Sequence, residues 1–382
     1  MSVPAVAVAQ TVPFADLGRL HHDVSGALER AWREALATSS FIGGERVERF
    51  EREWARYCGV GHAVGVANGT DAIELTLRAL GIGPGDEVLV PANTFIATAE
   101  AVVLAGAEPR FVDVDSRTLL VTQDVIRGAI SPRTAAVIAV ALYGNMPAMD
   151  EIRSLADARG LALIEDAAQA HGSTWRGARA GSFGVAGCFS FYPGKNLGAL
   201  GDGGAVVTND AALAERIRLL ANHGRPGGSH FHHEVVGRNS RLDALQAALL
   251  SAKLQMLDGW NEARRDAVRL YRALLDPELS PLVYVEPESV STHHLNVVRV
   301  RNRHRVRAEL AQFGIETGVH YPIPCNRHDP YRAYAPGPLP VVERAADEIL
   351  SLPLFPHITD QQIEYVCSCL NAAVGKRNGD GN

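Results

Sequence analysis

The chain has 382 residues, 47% of them hydrophobic and 21% charged, with a formal charge of -6 at pH 7, a composition that predicts a folded protein with a large core and room for two domains. The small net charge, without a block of like charges, gives no electrostatic reason to expect nucleic acid or an anionic membrane as a partner. Five scattered cysteines, Cys58, Cys188, Cys325, Cys367 and Cys369, fit reduced thiols and a cytoplasmic location better than a disulfide framework.

The apolar stretch 2–9 has no basic segment before it and runs directly into Phe14-Ala15-Asp16, unlike a signal peptide. No apolar run is long enough to predict a transmembrane helix. From about residue 60 to 210, apolar runs alternate with helical patterns. His62-Ala63-Val64-Gly65-Val66 precedes a helix over 71–80, and Glu87-Val88-Leu89-Val90 precedes one over 94–105. Ile73, Leu77 and Leu80 share one helical face, as do Ile152, Leu155 and Ala156 in a helix stopped by Gly160. The runs 135–140 and 161–164 are continuously apolar, as strands covered on both faces of a mostly parallel sheet should be.

After Asn239 the texture changes. Helical patterns over 241–257 and 260–275 are followed by shorter strand-like pieces such as 295–300. Thr359-Asp360-Gln361-Gln362 has the form of a capping box opening a helix whose apolar face is Ile363, Val366, Cys367 and Leu370. The expected organisation is a large domain over 1–255, with an arm and helix in 1–40, a smaller α+β domain over 256–374, and a frayed tail over 375–382.

Four features stand at loops that follow strands, where ligands sit in open α/β sheets. Asn68-Gly69-Thr70-Asp71 lies between a strand and a helix, so backbone N–H groups, the helix dipole and the Thr70 hydroxyl face an anion; the alternative is a plain strand-to-helix turn with a Thr or Asp cap. Asp166 ends the strand Leu161-Ala162-Leu163-Ile164-Glu165, and Gln169 follows three residues later; the alternative is that Glu165 and Asp166 cap the next turn. Lys195 follows the aromatic run Phe189-Ser190-Phe191-Tyr192 and precedes the glycine-dense stretch 198–204, which lets backbone crowd a ligand. The aromatics imply burial rather than a surface lysine in a Pro-Gly turn, and a lysine against apolar walls loses its proton more readily. Pyridoxal 5'-phosphate needs such a lysine for its aldehyde, a carboxylate for its pyridine nitrogen, a phosphate cradle and a flat partner for its ring. Ser190 adds a further phosphate donor.

The strings Ala67 to Ala72, Pro91 to Thr98, Glu165 to Gly172, Phe189 to Gly204 and Gly237 to Ala248 resemble, in this order and spacing, the DegT/DnrJ/EryC1/StrS family of nucleotide-sugar aminotransferases, and the resemblance covers nearly the whole chain from Phe41 onward. It implies the α/β architecture of the aspartate aminotransferase-like fold type I, with a mostly parallel seven-stranded large domain and a smaller C-terminal domain. It also implies pyridoxal phosphate on Lys195 as a Schiff base, with Lys195 moving protons, Asp166 at the ring nitrogen and Gln169 near the ring oxygen. Gly69, Thr70 and Ser190 would hold the phosphate, Phe95 would lie against the ring, and Asn239 would reach the phosphate of a second subunit's site in a homodimer. His320-Tyr321-Pro322-Ile323-Pro324 is similar to the family's sugar-side motif, placing His320 and Tyr321, with Tyr192, near the substrate. Where family members continue with a histidine and then a glutamine, this chain has Asn326 and His328.

His223, His230, His232 and His233 suggest zinc, but the intervening Gly-Arg-Pro-Gly-Gly-Ser has no second ligand pair of metal-site spacing, so no metal is expected. Cys367 and Cys369, two apart on a helix, point to different sides and read as packing. Gly81-Ile82-Gly83-Pro84-Gly85 precedes a strand, where a dinucleotide fingerprint must follow one. Relatives that dehydrate or deoxygenate replace the lysine by histidine, so Lys195 favours transamination. A regulatory role has little support without a basic patch. The expectation is amino transfer from L-glutamate to a nucleotide-linked keto-sugar. The stretch 232–243 resembles members acting on dTDP-3-keto-6-deoxyhexoses, with a C4-ketone or an inosose-type aminocyclitol as alternatives.

Overall fold

A computed structural model describes residues 11–227, 231–278, 281–335 and 337–375. Seven strands form its main sheet: β1 (His62–Val66), β2 (Glu87–Pro91), β3 (Glu108–Val112), β4 (Thr134–Val140), β5 (Ala162–Asp166), β6 (Ala186–Ser190) and β7 (Gly204–Thr208). Their order is β1-β7-β6-β5-β4-β2-β3. β7 runs antiparallel to both neighbours, and every other pairing is parallel. The mostly parallel sheet expected from the alternating pattern is therefore present, with the seven strands that the family resemblance implies.

Continuous apolar runs arise because the sheet is covered twice. Val88 and Val90 pack into one core while Leu89 packs into another, and Ile138 is separated in the same way from Val137 and Ala139. That alternation is the pleat of a strand with an apolar layer on each side. The helices Gly69–Ala79, Ile96–Leu104 and Ala211–Ala221 cover the first face, and Glu45–Cys58, Met149–Arg159 and Ala244–Leu254 the second. Gly160 ends its helix in the left-handed conformation at φ 64°, as the sequence suggests.

Two helices begin later or earlier than their patterns imply. The first starts at Gly69 rather than 71, because the Asn68 side chain is the N-cap and accepts from the Asp71 amide at 2.8 Å. The second starts at Ile96, since Phe95 is extended, with φ -68° and ψ 146°.

The helix Leu257–Leu274 leaves the second face at Leu257 and enters a third core through Ala267, Val268 and Tyr271. That core also holds the antiparallel pair Asn296–Arg299 and Ile349–Leu352 and the helices Arg303–Gln312 and Asp360–Gly375. The N-terminal segment joins it: Val12 is fully buried there and its amide donates to the Gly314 carbonyl at 2.9 Å. The capping box forms, with Gln362 N donating to Thr359 Oγ1 at 3.2 Å and Thr359 N to Gln362 Oε1 at 3.0 Å. The expected tail over 375–382 lies outside the described residues except for Gly375.

Candidate active site

The chemistry-bearing residues gather where β1, β5 and β6 end and β7 begins. Asn68 caps its helix, leaving the first-turn amides of Gly69 and Thr70 open to an anion. A Cβ on Gly69 would fall 2.7 Å from Ser190 Cβ, and one on Gly204 would fall 2.4 Å from the Asn68 carbonyl oxygen. Glycine at both places therefore lets Gly69, Thr70 and Ser190 converge, 120 residues apart in the chain, on one concave backbone surface. Asp71 and Glu74 on the same helix are matched by Arg238, whose Nη2 lies 3.0 Å from Asp71 Oδ1 and whose Nη1 binds Glu74.

Asp166, the last residue of β5, is 7% exposed. Its Oδ2 accepts from Thr98 Oγ1 at 2.7 Å and its Oδ1 from the Ala168 amide at 3.2 Å. Burial raises its carboxyl pKa, against the pull of these donors and of Lys195. Lys195 follows β6 in a tight turn, with its amide donating to the Tyr192 carbonyl at 2.8 Å. Burial lowers its ammonium to about 8, while the Asp166 charge resists. The Asp166 charge thus opposes the loss of the Lys195 proton that burial favours.

On the C-terminal side, Gln169 Oε1 accepts from the Tyr143 amide at 2.7 Å and its Nε2 donates to Tyr321 Oη at 3.2 Å. An amide nitrogen carries two hydrogens, so one remains for a ligand. The Phe95 and Tyr321 rings lie 5.5 Å apart at 41°. His320 Nδ1 is 2.8 Å from Ser351 Oγ, its carbonyl accepts from Tyr143 Oη at 2.6 Å, and its ring stacks on Phe14; burial lowers its pKa to about 4. The His320–Tyr321 peptide is cis. Tyr192 is exposed on the turn before Lys195, and Asn239 is exposed, pairing by backbone with Asn222. Asn326 is buried, and neither polar atom of its side chain has a partner.

The structure therefore brings Gly69, Thr70, Ser190, Asp166, Gln169, Lys195, Phe95, Tyr321 and His320 to one region. Of the histidine-rich loop, His233 Nδ1 lies 2.8 Å from the His223 carbonyl, and His230 is outside the described residues. Among the described residues no group of three His, Cys, Asp or Glu side chains is placed to hold a metal. All five cysteines are free thiols. Three partners escaped the sequence reading: Thr98, Tyr143 and the buried Lys253, whose Nζ donates to the Gly198 carbonyl at 2.6 Å in the loop after Lys195. Thr98 had a faint signal, standing four residues after Thr94, which lies just before the helix, with the two hydroxyls 2.8 Å apart.

The donor set fits pyridoxal phosphate: an anion cradle that a Cβ would fill, a buried carboxylate, and a lysine with a lowered pKa on the adjoining loop. Fold and site together define a pyridoxal phosphate-dependent aminotransferase. The chain belongs to the DegT/DnrJ/EryC1/StrS aminotransferase family, whose sequence profile matches residues 24–371. It is 45% identical over 364 residues, 94% of this chain and 99% of the relative, to the erythromycin biosynthesis sensory transduction protein EryC1 of Saccharopolyspora erythraea. It is 44% identical over 355 residues, 92% of this chain and 93% of the relative, to the dTDP-3-amino-3,4,6-trideoxy-alpha-D-glucose transaminase of Streptomyces venezuelae. The crystal structure of S. venezuelae DesV in complex with a ketimine intermediate superposes with a TM-score of 0.93 at 42% identity, covering 97% of this chain and 100% of that one.

Proposed function

We propose that this aminotransferase moves the amino group of L-glutamate to the ketone of a nucleotide-linked sugar, with C3 of a dTDP-3-keto-6-deoxyhexose as the acceptor. The observation that carries the reading is the Lys195–Asp166 pair beside the Gly69–Ser190 cradle. The sugar is supported by the Streptomyces venezuelae relative, which is named for a dTDP-3-amino sugar. Residues 1–255 would form the cofactor-binding domain and 256–374 the smaller one.

Gly69, Thr70 and Ser190 would bind the phosphate, Asp166 the pyridine nitrogen, and Phe95 the ring face. When bound, pyridoxal phosphate supplies an electron sink for the carbon that bears the amine. Lys195 Nζ, poised near pH 8 by burial, takes the proton from that carbon of the donor and returns one to the product, the task of a positioned base with a matched pKa. Thr98 and the Ala168 amide fix both oxygens of Asp166, so its charge is aimed before the cofactor arrives. The second N–H of Gln169 would be available to the ring oxygen. His320, Tyr321 and Tyr192 would meet the sugar.

A homodimer with shared sites is part of the proposal. Phe41, Ile42, Phe95 and Tyr192 are 47–59% exposed, apolar side chains that a second subunit would cover, and the exposed Asn239 is available to the partner's phosphate site. Free thiols support the cytoplasm, and no described helix is long and apolar enough to cross a membrane.

The test is product analysis with L-glutamate and a panel of dTDP- and UDP-linked 3-keto and 4-keto sugars. Amination of the dTDP-3-keto sugar is expected; turnover of a free cyclitol ketone alone would sink the nucleotide-sugar reading. Lys195→Ala is expected to abolish both turnover and the absorbance of lysine-bound cofactor, and full activity in that variant would refute its role.

A further inference from the structure

We propose that Asn196 and His294 are positioning residues for Lys195, a buried amide and an imidazole that tie the lysine-bearing turn to the C-terminal part of the chain. The inference rests on Lys195 being the cofactor lysine.

Asn196 follows Lys195 directly and is 4% exposed. Its Nδ2 lies 2.8 Å from Asn261 Oδ1 and 3.1 Å from the Thr292 carbonyl. Both partners are acceptors, so both amide hydrogens are committed and the orientation of the amide is fixed. Its Oδ1 must then accept, and His294 Nδ1, 3.0 Å away, must carry the proton. The same logic continues on the far side. Asn261 Nδ2 donates to the His171 carbonyl at 2.8 Å, and His171 Nε2 lies 2.8 Å from the Ser190 carbonyl, which can only accept. His171 therefore holds its proton on Nε2, which agrees with its buried Nδ1 having no partner.

A directed chain of hydrogen bonds thus runs from His294 through the neighbour of Lys195 to Asn261 on the helix Leu257–Leu274, and from there to His171 and the backbone of Ser190 in the anion cradle. It fixes the lysine turn and the cradle relative to each other. Buried polar chains with every donor assigned are stiff, and an error in one member strands the others. Both imidazoles are neutral, as burial first and the Lys195 charge second require: His171 is lowered to about 3 and His294 well below its usual value. The titratable groups around Lys195 are Asp166, His171, His294 and His320, so neutrality of the histidines leaves Asp166 as the charge that opposes loss of the lysine proton.

The direction of the chain gives a substitution series that separates positioning from packing. In His294→Asn the amide nitrogen takes the place of Nδ1 and keeps the donor; His294→Ala removes it. Asn196→Ala strands the His294 N–H and two carbonyl oxygens at once. With the pyridoxal phosphate-loaded protein, Asn196→Ala and His294→Ala are expected to lower kcat with L-glutamate about 100-fold at nearly unchanged KM, the effect of a roughly 1 Å misplacement of a reacting group. The pH midpoint at which the bound cofactor's absorbance titrates is expected to move by about one unit, and His294→Asn to recover most of both effects.

Histidine-selective 15N NMR of the apoenzyme at pH 7 should show His294 protonated on Nδ1 alone and His171 on Nε2 alone. An imidazolium or the opposite tautomer at His294 overturns the proposal, as does a His294→Asn variant as impaired as His294→Ala, or a His294→Ala variant with wild-type kcat and absorbance midpoint. Should Asn196→Ala fail to fold, the His294 pair and the tautomers still decide. Failure of the Lys195 assignment would show separately, as lysine-bound cofactor absorbance persisting in Lys195→Ala.

Discussion

Gly69 shows how one absent methyl group shapes the cradle. Alanine there would place its Cβ 2.7 Å from Ser190 Cβ and 3.3 Å from Ser190 Cα, so strand and helix must part. Such overpacking costs about 1–3 kcal/mol, offset by up to about 1 kcal/mol of helix propensity. Gly69→Ala is therefore expected to weaken pyridoxal phosphate at least about tenfold in a fluorescence titration, with a modest loss of apoenzyme stability. Gly128, inside the helix Gln123–Ala129 with nothing within 4 Å of its Cβ position, is the contrast: Gly128→Ala should raise the unfolding midpoint by up to about 1 kcal/mol and leave cofactor affinity alone. An unchanged cofactor affinity in Gly69→Ala would disprove the cradle.

At the scale of elements, the two capped helices make a matched pair. Asn68→Ala removes the acceptor for the Asp71 amide, and Thr359→Ala that for the Gln362 amide. Each should cost about 0.5–2 kcal/mol in urea unfolding, but Asn68→Ala alone should also weaken the cofactor, because the Asn68 cap holds in place the first turn whose Gly69 and Thr70 amides would form the anion site. Equal cofactor affinity in the two variants would mean that the helix terminus does not bind the phosphate. What the sequence made legible follows from the range of each signal. Alternating strands and helices, the Gly160 stop and the Thr359 capping box are written within a few residues. The lysine, the carboxylate and the glycine-bounded loops were legible as separate strings, and the family resemblance joined them. The Asn196–His294 bond was not legible, since its partners lie 98 positions apart with no period or spacing to link them. Thr98 and Tyr143 reach Asp166 and Gln169 only after the strands have set those residues side by side. The helix begins at Gly69, two residues before the apolar pattern implies, because the Asn68 side chain is its cap, a role that the apolar spacing does not reveal.

For the molecule as a whole, four histidines are held neutral by burial. His171 is lowered to about 3, His293 and His320 to about 4, and His294 well below 6.5. The unfolded chain takes up protons at these residues below about pH 6.5, while the folded chain does not. Their contribution is fully present above pH 6.5 and is lost as the pH falls toward the folded values, at about 1.4 kcal/mol per pH unit for each titrating group. Burial raises Glu165 and Asp166, which works the other way near the acid end, so the loss begins near pH 6.5 and steepens over the next unit or so, as the unfolded histidines become fully protonated. Urea unfolding of the apoenzyme at pH 7.5, 6 and 5 checks this. His293→Asn, which tolerates the left-handed backbone at φ 42°, should flatten the dependence by about one histidine's share, and an unaltered slope would remove His293 from the set.

The place of β1 at the sheet edge has a consequence for biosynthesis. Its sheet partner is β7, and His62 waits for Thr208, 146 positions later. At about 5–20 residues per second on the ribosome, this first strand is synthesised roughly 7–30 seconds before its partner. The loop that carries Asn68 and Gly69 acquires its opposing wall only when Ser190 and Gly204 arrive. Capture of the cofactor is thus a late event, and a nascent chain truncated before β7 should fail to retain pyridoxal phosphate however well its earlier βα units have formed.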